Sequence, residues 1–232
     1  MIITWESRKG RDRIANRDAV AIGYSGKYLI VVEIDVAEKV QSGNLIEGID
    51  DNGKRLSEYW AHSCLLEIIS TSSYENEKML FYFLHEKQKR LKRNYLHDIA
   101  SYGVLVMDTT TLRFNWWFTG DCRLGIQKDQ QKIEWLNNPH RLENSPLLNV
   151  PDFFSPTLTQ CLKARRFFRP ERITSEMPSN GSLKIATDGY WNEHIEKGVV
   201  FENLEDDASL LTIELGNKKI IQKTDALNFF IR

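Results

Sequence analysis

The chain is short of the residues that usually announce a function. Its three cysteines, Cys64, Cys122 and Cys161, are odd in number and far apart, so they form neither a disulfide framework nor a close-spaced zinc motif. They read as buried free thiols in a reducing compartment. No apolar run approaches the ~20 residues needed to cross a bilayer. The start, M-I-I-T-W-E-S-R-K-G-R, carries Glu6, Arg8, Lys9 and Arg11 where a signal peptide needs its apolar segment. A cytoplasmic location with no membrane partner is expected. Excess charge is missing too: a net charge of -1 gives no general pull toward nucleic acid. The five histidines, His62, His85, His97, His140 and His194, show no H-E-x-x-H or zinc spacing, and no G-x-S-x-G elbow is present. Of six prolines, four crowd into 137 to 157 (Pro139, Pro146, Pro151, Pro156), which makes that stretch a long surface segment. No Gly/Ser/Pro-rich linker divides the chain, so one domain over 1–232 is expected.

What is present is a well-stocked core, 41% hydrophobic and 11% aromatic, which argues against disorder. β-Branched residues on both sides of Ser25-Gly26 predict a hairpin over 19 to 36. Tyr59, Trp60, Cys64, Leu65, Ile68 and Ile69 follow a helical period. After S-T-S-S at 70 to 73, Ser72 with Glu75 matches a capping box opening a second helix that runs to near Asp98. Strands are predicted at 104 to 107, 112 to 118, 122 to 127, 132 to 135 and 183 to 187, a short helix at 157 to 166, and a hairpin at 210 to 221 turning at Gly216-Asn217. In the pair Trp116-Trp117, one ring should enter the core and the other meet a helix. Antiparallel hairpins alternating with paired helices give an α+β class.

Acids stand at the ends of these runs: Asp18, Glu33 or Asp35, Asp108, Asp121, Asp188 and the pair Asp206-Asp207. Hard divalent ions take such oxygen ligands, although Asp also caps helices and opens turns without any metal. Four segments sharpen the reading: R-I-A-N-R-D-A (13 to 19), F-T-G-D-C-R-L-G (118 to 125), I-A-T-D-G-Y-W (185 to 191) and E-D-D-A-S-L-L-T-I (205 to 213). In that order they resemble the signature segments of the PP2C-type (PPM) metal-dependent serine/threonine protein phosphatases. The resemblance implies a four-layer α-β-β-α fold, with a central antiparallel sandwich flanked by helices and a metal cluster at one end. It implies hydrolysis of phosphoserine and phosphothreonine on a phosphorylated protein by a metal-activated water, with two Mn²⁺ or Mg²⁺ ions. By position, Arg13 matches the phosphate-contacting arginine, Asn16 the asparagine after it, and Asp18 the first metal acid. Asp188 and Asp206 match later metal acids, and Asp121 matches an acid linked in several bacterial members to a weaker third site.

The second motif departs from the family. The strand ends V-V-E-I-D-V-A-E-K, and no glycine follows either acid until Gly43, so Glu33 and Asp35 are both candidates for the bridging acid. Arg17 stands beside the first acid, Asp207 replaces the customary asparagine, and Cys122 replaces a serine. A catalytically silent module that binds a partner protein is the alternative these departures raise. Of the basic clusters, 86 to 93 reads as a solvated helix face and 163 to 172 as a surface that steers an acidic phosphopeptide. Nucleic-acid binding is the lesser reading for either. His140 reads as a surface histidine and His194 as the end of a turn after Trp191. Substrate identity would lie with segments 43 to 57 and 137 to 157.

Overall fold

The computed structural model describes residues 1–11, 13–37, 52–129, 131–144 and 157–232. In chain order the elements are β1 (Ile2–Arg8), β2 (Asp18–Ser25), β3 (Tyr28–Val36), α1 (Asn52–Thr71), α2 (Glu77–Arg90), β4 (Ile99–Asp108), β5 (Arg113–Thr119), β6 (Arg123–Lys128), β7 (Glu134–Trp135), β8 (Leu162–Lys163), β9 (Glu171–Glu176), β10 (Gly181–Ala186), a π-helical segment (Gly189–Glu196), β11 (Ala208–Glu214), β12 (Lys219–Thr224) and β13 (Phe229–Ile231). One sheet runs β12-β1-β11-β10-β6-β7, the other β13-β2-β3-β4-β5-β9, with β8 paired to β4. All neighbours are antiparallel except β1 with β12 and β2 with β13.

The period-two alternation of the strands builds two separate cores. Val20, Ile22, Val31, Leu105 and Trp116 meet Ile3, Trp5, Leu183, Ile185 and Leu211 between the sheets. On the opposite face of the second sheet, Ala19, Ile30, Val32, Ile34, Val104 and Trp117 lie against Leu56, Trp60, Leu65 and Ile68 of α1 and Leu80 and Leu84 of α2. With both faces covered, β2 to β4 read as continuous apolar runs. Trp116 lies so close over Gly103 that a Cβ there would sit 1.7 Å from the ring. This α+β sandwich flanked by helices has the expected class and architecture. Its fourth layer is thin: among the described residues, the first sheet is covered mainly by the π-helical segment, whose Tyr190 and Trp191 pack on Ala186 and Leu210. No described helix is long and apolar enough to cross a membrane.

The hairpin of β2 and β3, the two helices and the split Trp pair all appear where expected, with Trp117 donating from its indole to Glu77 at 3.1 Å. Other expectations are corrected. Ser72 does not cap; it sits at φ 49 with no side-chain bond, and Asn76 accepts from the Lys78 amide instead. The second helix stops at Arg90. Residues 157 to 166 carry no described helix but the short strand β8. Strands β11 and β12 are not a hairpin, because β1 lies between them. Most of segment 43 to 57, and 145 to 156 within the proline-rich stretch, lie outside the described residues.

Candidate functional site

One end of the sandwich collects the acids because of strand register. Asp18 opens β2 and faces Asp35 near the end of β3, and Asp35 in turn faces Ser101 on β4. Just past β5 comes Asp121, just past β10 comes Asp188, and just before β11 come Asp206 and Asp207. Asp108 belongs elsewhere: it closes the turn after β4, taking Lys27 at 2.7 Å and the Thr110 amide at 2.9 Å.

Asp18 is fully buried. Its Oδ2 accepts from Thr187 Oγ1 at 2.9 Å, while Oδ1 has no hydrogen-bond partner. Asn16 accepts from the Asp18 amide at 3.0 Å and donates to Ser7 Oγ at 2.9 Å, and Asn228 donates to the Asp18 carbonyl at 3.0 Å. Burial, together with Asp207 and Asp206, holds the Asp18 carboxyl well above its usual range against the pull of Ser209 and Thr187. Asp35 is likewise raised well above the ordinary carboxylate value by burial and then by Asp18, Asp188, Asp121 and Asp206. The pKa of Asp188 is pushed up to about 8 by burial, Asp121 and Asp206, against the opposing effects of Arg141 and Asp35. Buried carboxyls beside like charges favour the protonated form, a relief a metal ion would otherwise provide.

The late pair divides its work. Asp207 accepts from the amides of Gly10 and Arg17, both at 2.8 Å, which fixes the loop before β2. Asp206 takes Arg13 Nη2 at 2.5 Å. Thus Arg13 and Asp206 meet, while Asp18, Asp35 and Asp188 lie at the same end of the sandwich without closing into a cage.

Glu33 is placed differently. It lies opposite Val20 and Gly103, a step inside the inter-sheet core, fully buried, with neither carboxyl oxygen partnered. Burial and the Asp18 charge raise its pKa well above the usual value. Ile34 and Val36, which follow the two candidate acids where the resemblance implies a glycine, both pack into the core shared with α1 and neither takes a positive φ.

Three participants escaped the sequence. Arg141, only 3% exposed, donates from Nε to Asp121 Oδ2 at 2.8 Å and from Nη2 to Asp188 Oδ2 at 2.6 Å. Burial lowers its pKa, but Asp121 and Asp188 outweigh that and leave it raised. Ser101 Oγ donates to Asp121 Oδ1 at 2.5 Å; Gly120, at φ +101, is the turn that brings the two together. His140 is buried, not at the surface: it stacks on Phe118 with centroids 4.9 Å apart and its Nδ1 accepts from the Gly120 amide at 3.0 Å. No periodicity marked these residues; their partners are distant in sequence. His194 does not end a turn after Trp191: it lies within the π-helical segment Gly189–Glu196, with Nδ1 2.8 Å from the Val199 carbonyl.

The donor set suits a hard divalent ion in kind: carboxylates, mutual repulsion, and a buried orphan oxygen on Asp18. Among the described residues, however, no group of three acids converges as a ready-made cage; arginines hold Asp121, Asp188 and Asp206.

No protein-family model matches the sequence, and no curated protein matches it by sequence. The fold does have relatives. Stp1 from Staphylococcus aureus, a serine/threonine phosphatase, superposes with a TM-score of 0.70 at 12% identity over 93% of this chain and 95% of its own. The serine/threonine phosphatase of S. agalactiae gives 0.67 at 11% identity, covering 92% and 99%. RsbX in complex with magnesium gives 0.55 at 13% identity, covering 90% and 92%. The chain has the fold of the PP2C-type phosphatases, shared across nearly its whole length at low sequence identity.

Proposed function

We propose that the protein is a metal-dependent phosphatase acting on phosphoserine and phosphothreonine of a phosphorylated protein. The gathering of Asp18, Asp35 and Asp188 at one end of the sandwich, each carboxyl raised by burial and by neighbouring acids, carries this reading. Asp18, Asp35, Asp188 and Asp206 would hold the two Mn²⁺ or Mg²⁺ ions. Asp35 is the better bridging acid than Glu33, since Glu33 lies a step deeper in apolar core. The ions, once bound, would neutralise phosphate charge and supply a water acidic enough to attack phosphorus near neutral pH. The chain's own residues do the positioning. Arg13, fixed by Asp206, presents a planar fork suited to nonbridging phosphate oxygens. Thr187 and Asn16 hold Asp18 in place, and Arg141 orients Asp188.

A second reading, a catalytically silent module that binds a partner through the same cleft, is favoured by the arginines on three of the acids and by Ile34 or Val36 standing where the resemblance implies a glycine. Hydrolysis of p-nitrophenyl phosphate, measured with Mn²⁺ or EDTA for the wild type and Asp188→Asn, decides between them. The phosphatase reading expects activity that needs Mn²⁺ and falls at least tenfold in the variant, about 1.4 kcal/mol of transition-state stabilisation. Equal, background rates in both proteins would leave the silent module.

A further inference from the structure

We propose that Arg141 is a resident cation standing in for a divalent ion at Asp121, so that neutralising it opens a new divalent-cation site at the Asp121–Asp188 pair. The inference rests on the phosphatase reading for the role of Asp188.

Two carboxylates from different segments, with side chains 7% and 22% exposed, face one guanidinium that is itself 3% exposed. Like charges this deep require a counter-cation, and Arg141 supplies it at 2.8 and 2.6 Å. The other oxygen of Asp121 is taken by Ser101, so among the described contacts that carboxylate is fully engaged without metal. The arginine is a built fixture. Its guanidinium lies 4.6 Å from the Trp191 ring centre, and the Trp191 indole donates to the Asp121 carbonyl at 2.9 Å. The preceding residue clamps the same loop, with His140 amide to Gly120 carbonyl at 2.9 Å and Gly120 amide to His140 Nδ1 at 3.0 Å. A guanidinium delivers charge but cannot be displaced into solvent as a weakly held ion can.

The test counts Mn²⁺ per chain by calorimetry and by Mn²⁺ electron paramagnetic resonance. Arg141→Gln is expected to bind one more ion than the wild type, Arg141→Lys no more, and the double variant Arg141→Gln/Asp121→Asn to lose the gain. Saturating Mn²⁺ should raise the melting temperature of Arg141→Gln more than that of the wild type. Equal ion counts in Arg141→Gln and wild type would overturn the proposal. Should Arg141→Gln fail to fold, Asp121→Asn alone decides: an unchanged count supports Arg141 as the cation, and loss of an ion refutes it. A wild type that binds no Mn²⁺ sinks the metal-dependent phosphatase reading, yet Arg141 is still judged by whether its removal gains an ion.

Discussion

Two acids that alternate on one strand receive opposite environments, and this is where single residues make their predictions. Glu33 buries both oxygens unpaired, at a cost of about 1–3 kcal/mol by mutational experience. Glu33→Leu, of similar size, should raise the free energy of unfolding by about that much while leaving Mn²⁺ binding intact; Asp35→Asn should weaken Mn²⁺ binding about tenfold or more. Calorimetry and urea titration of the two variants check this, and a loss of Mn²⁺ binding in Glu33→Leu would move the bridging role back to Glu33. Asp188 supplies a pH prediction. Its folded pKa of about 8 lies above the unfolded value of ~3.9, so the folded state holds the extra proton between them. Its contribution is present in full below pH ~4 and is lost as pH rises toward 8. In EDTA the urea midpoint should therefore fall from about pH 5 to about pH 8, less steeply in Asp188→Asn, and Mn²⁺ should remove the fall. A midpoint that climbs in EDTA would contradict the assignment. The acids themselves were legible because type and order carry them. Arg141 and Ser101 were not, since their meaning lies only in partners 47 and 20 residues away.

Elements were readable where local pattern decides and misleading where pairing does. The β2–β3 hairpin and the helix stripes over 58 to 69 follow from periodicity and turn chemistry alone. The apparent hairpin at 210 to 221 had the right turn residues, yet β11 and β12 each prefer β1, a tertiary choice no local signal contains. Strand β9 was hidden because its start falls at the end of the basic stretch 163 to 172, which read as a surface patch; its one basic residue, Arg172, lies over Trp117 and bonds Asn115 at 2.7 Å. The segment before β13 carries its own test. Asn228 donates to Ser7 Oγ and the Asp18 carbonyl, and accepts from the Trp5 indole at 3.1 Å. Asn228→Ala leaves the buried Trp5 indole N–H without its partner and takes a donor from the Asp18 carbonyl, while Ser7 keeps Asn16, so a loss of about 1–3 kcal/mol in stability is expected, along with weaker Mn²⁺ binding because the start of β2 loses its anchor. Urea unfolding measures the first, calorimetry the second. A variant as stable as wild type would show that the network contributes nothing.

At the scale of the molecule, the two sheets are sewn together by sequence-distant strands. β1 lies between β11 and β12, β13 borders β2, and the Met1 amino group donates to the Gly216 carbonyl at 2.6 Å. A chain ending at residue 217 lacks β12 and β13, leaving both β1 and β2 with an unpaired edge. Such a chain is expected to lose its cooperative thermal transition, followed by circular dichroism; a sharp transition near the wild-type temperature would refute this. The interleaved order also has a consequence for synthesis. When β1 leaves the ribosome its neighbours do not yet exist, and they follow only after some two hundred residues have been added. Contacts of such long separation close slowly, and domains assemble as units during translation. The acids from Asp18 to Asp206 therefore remain apart for most of elongation, so a nascent chain has no assembled centre with which to act on its surroundings until the late strands are out.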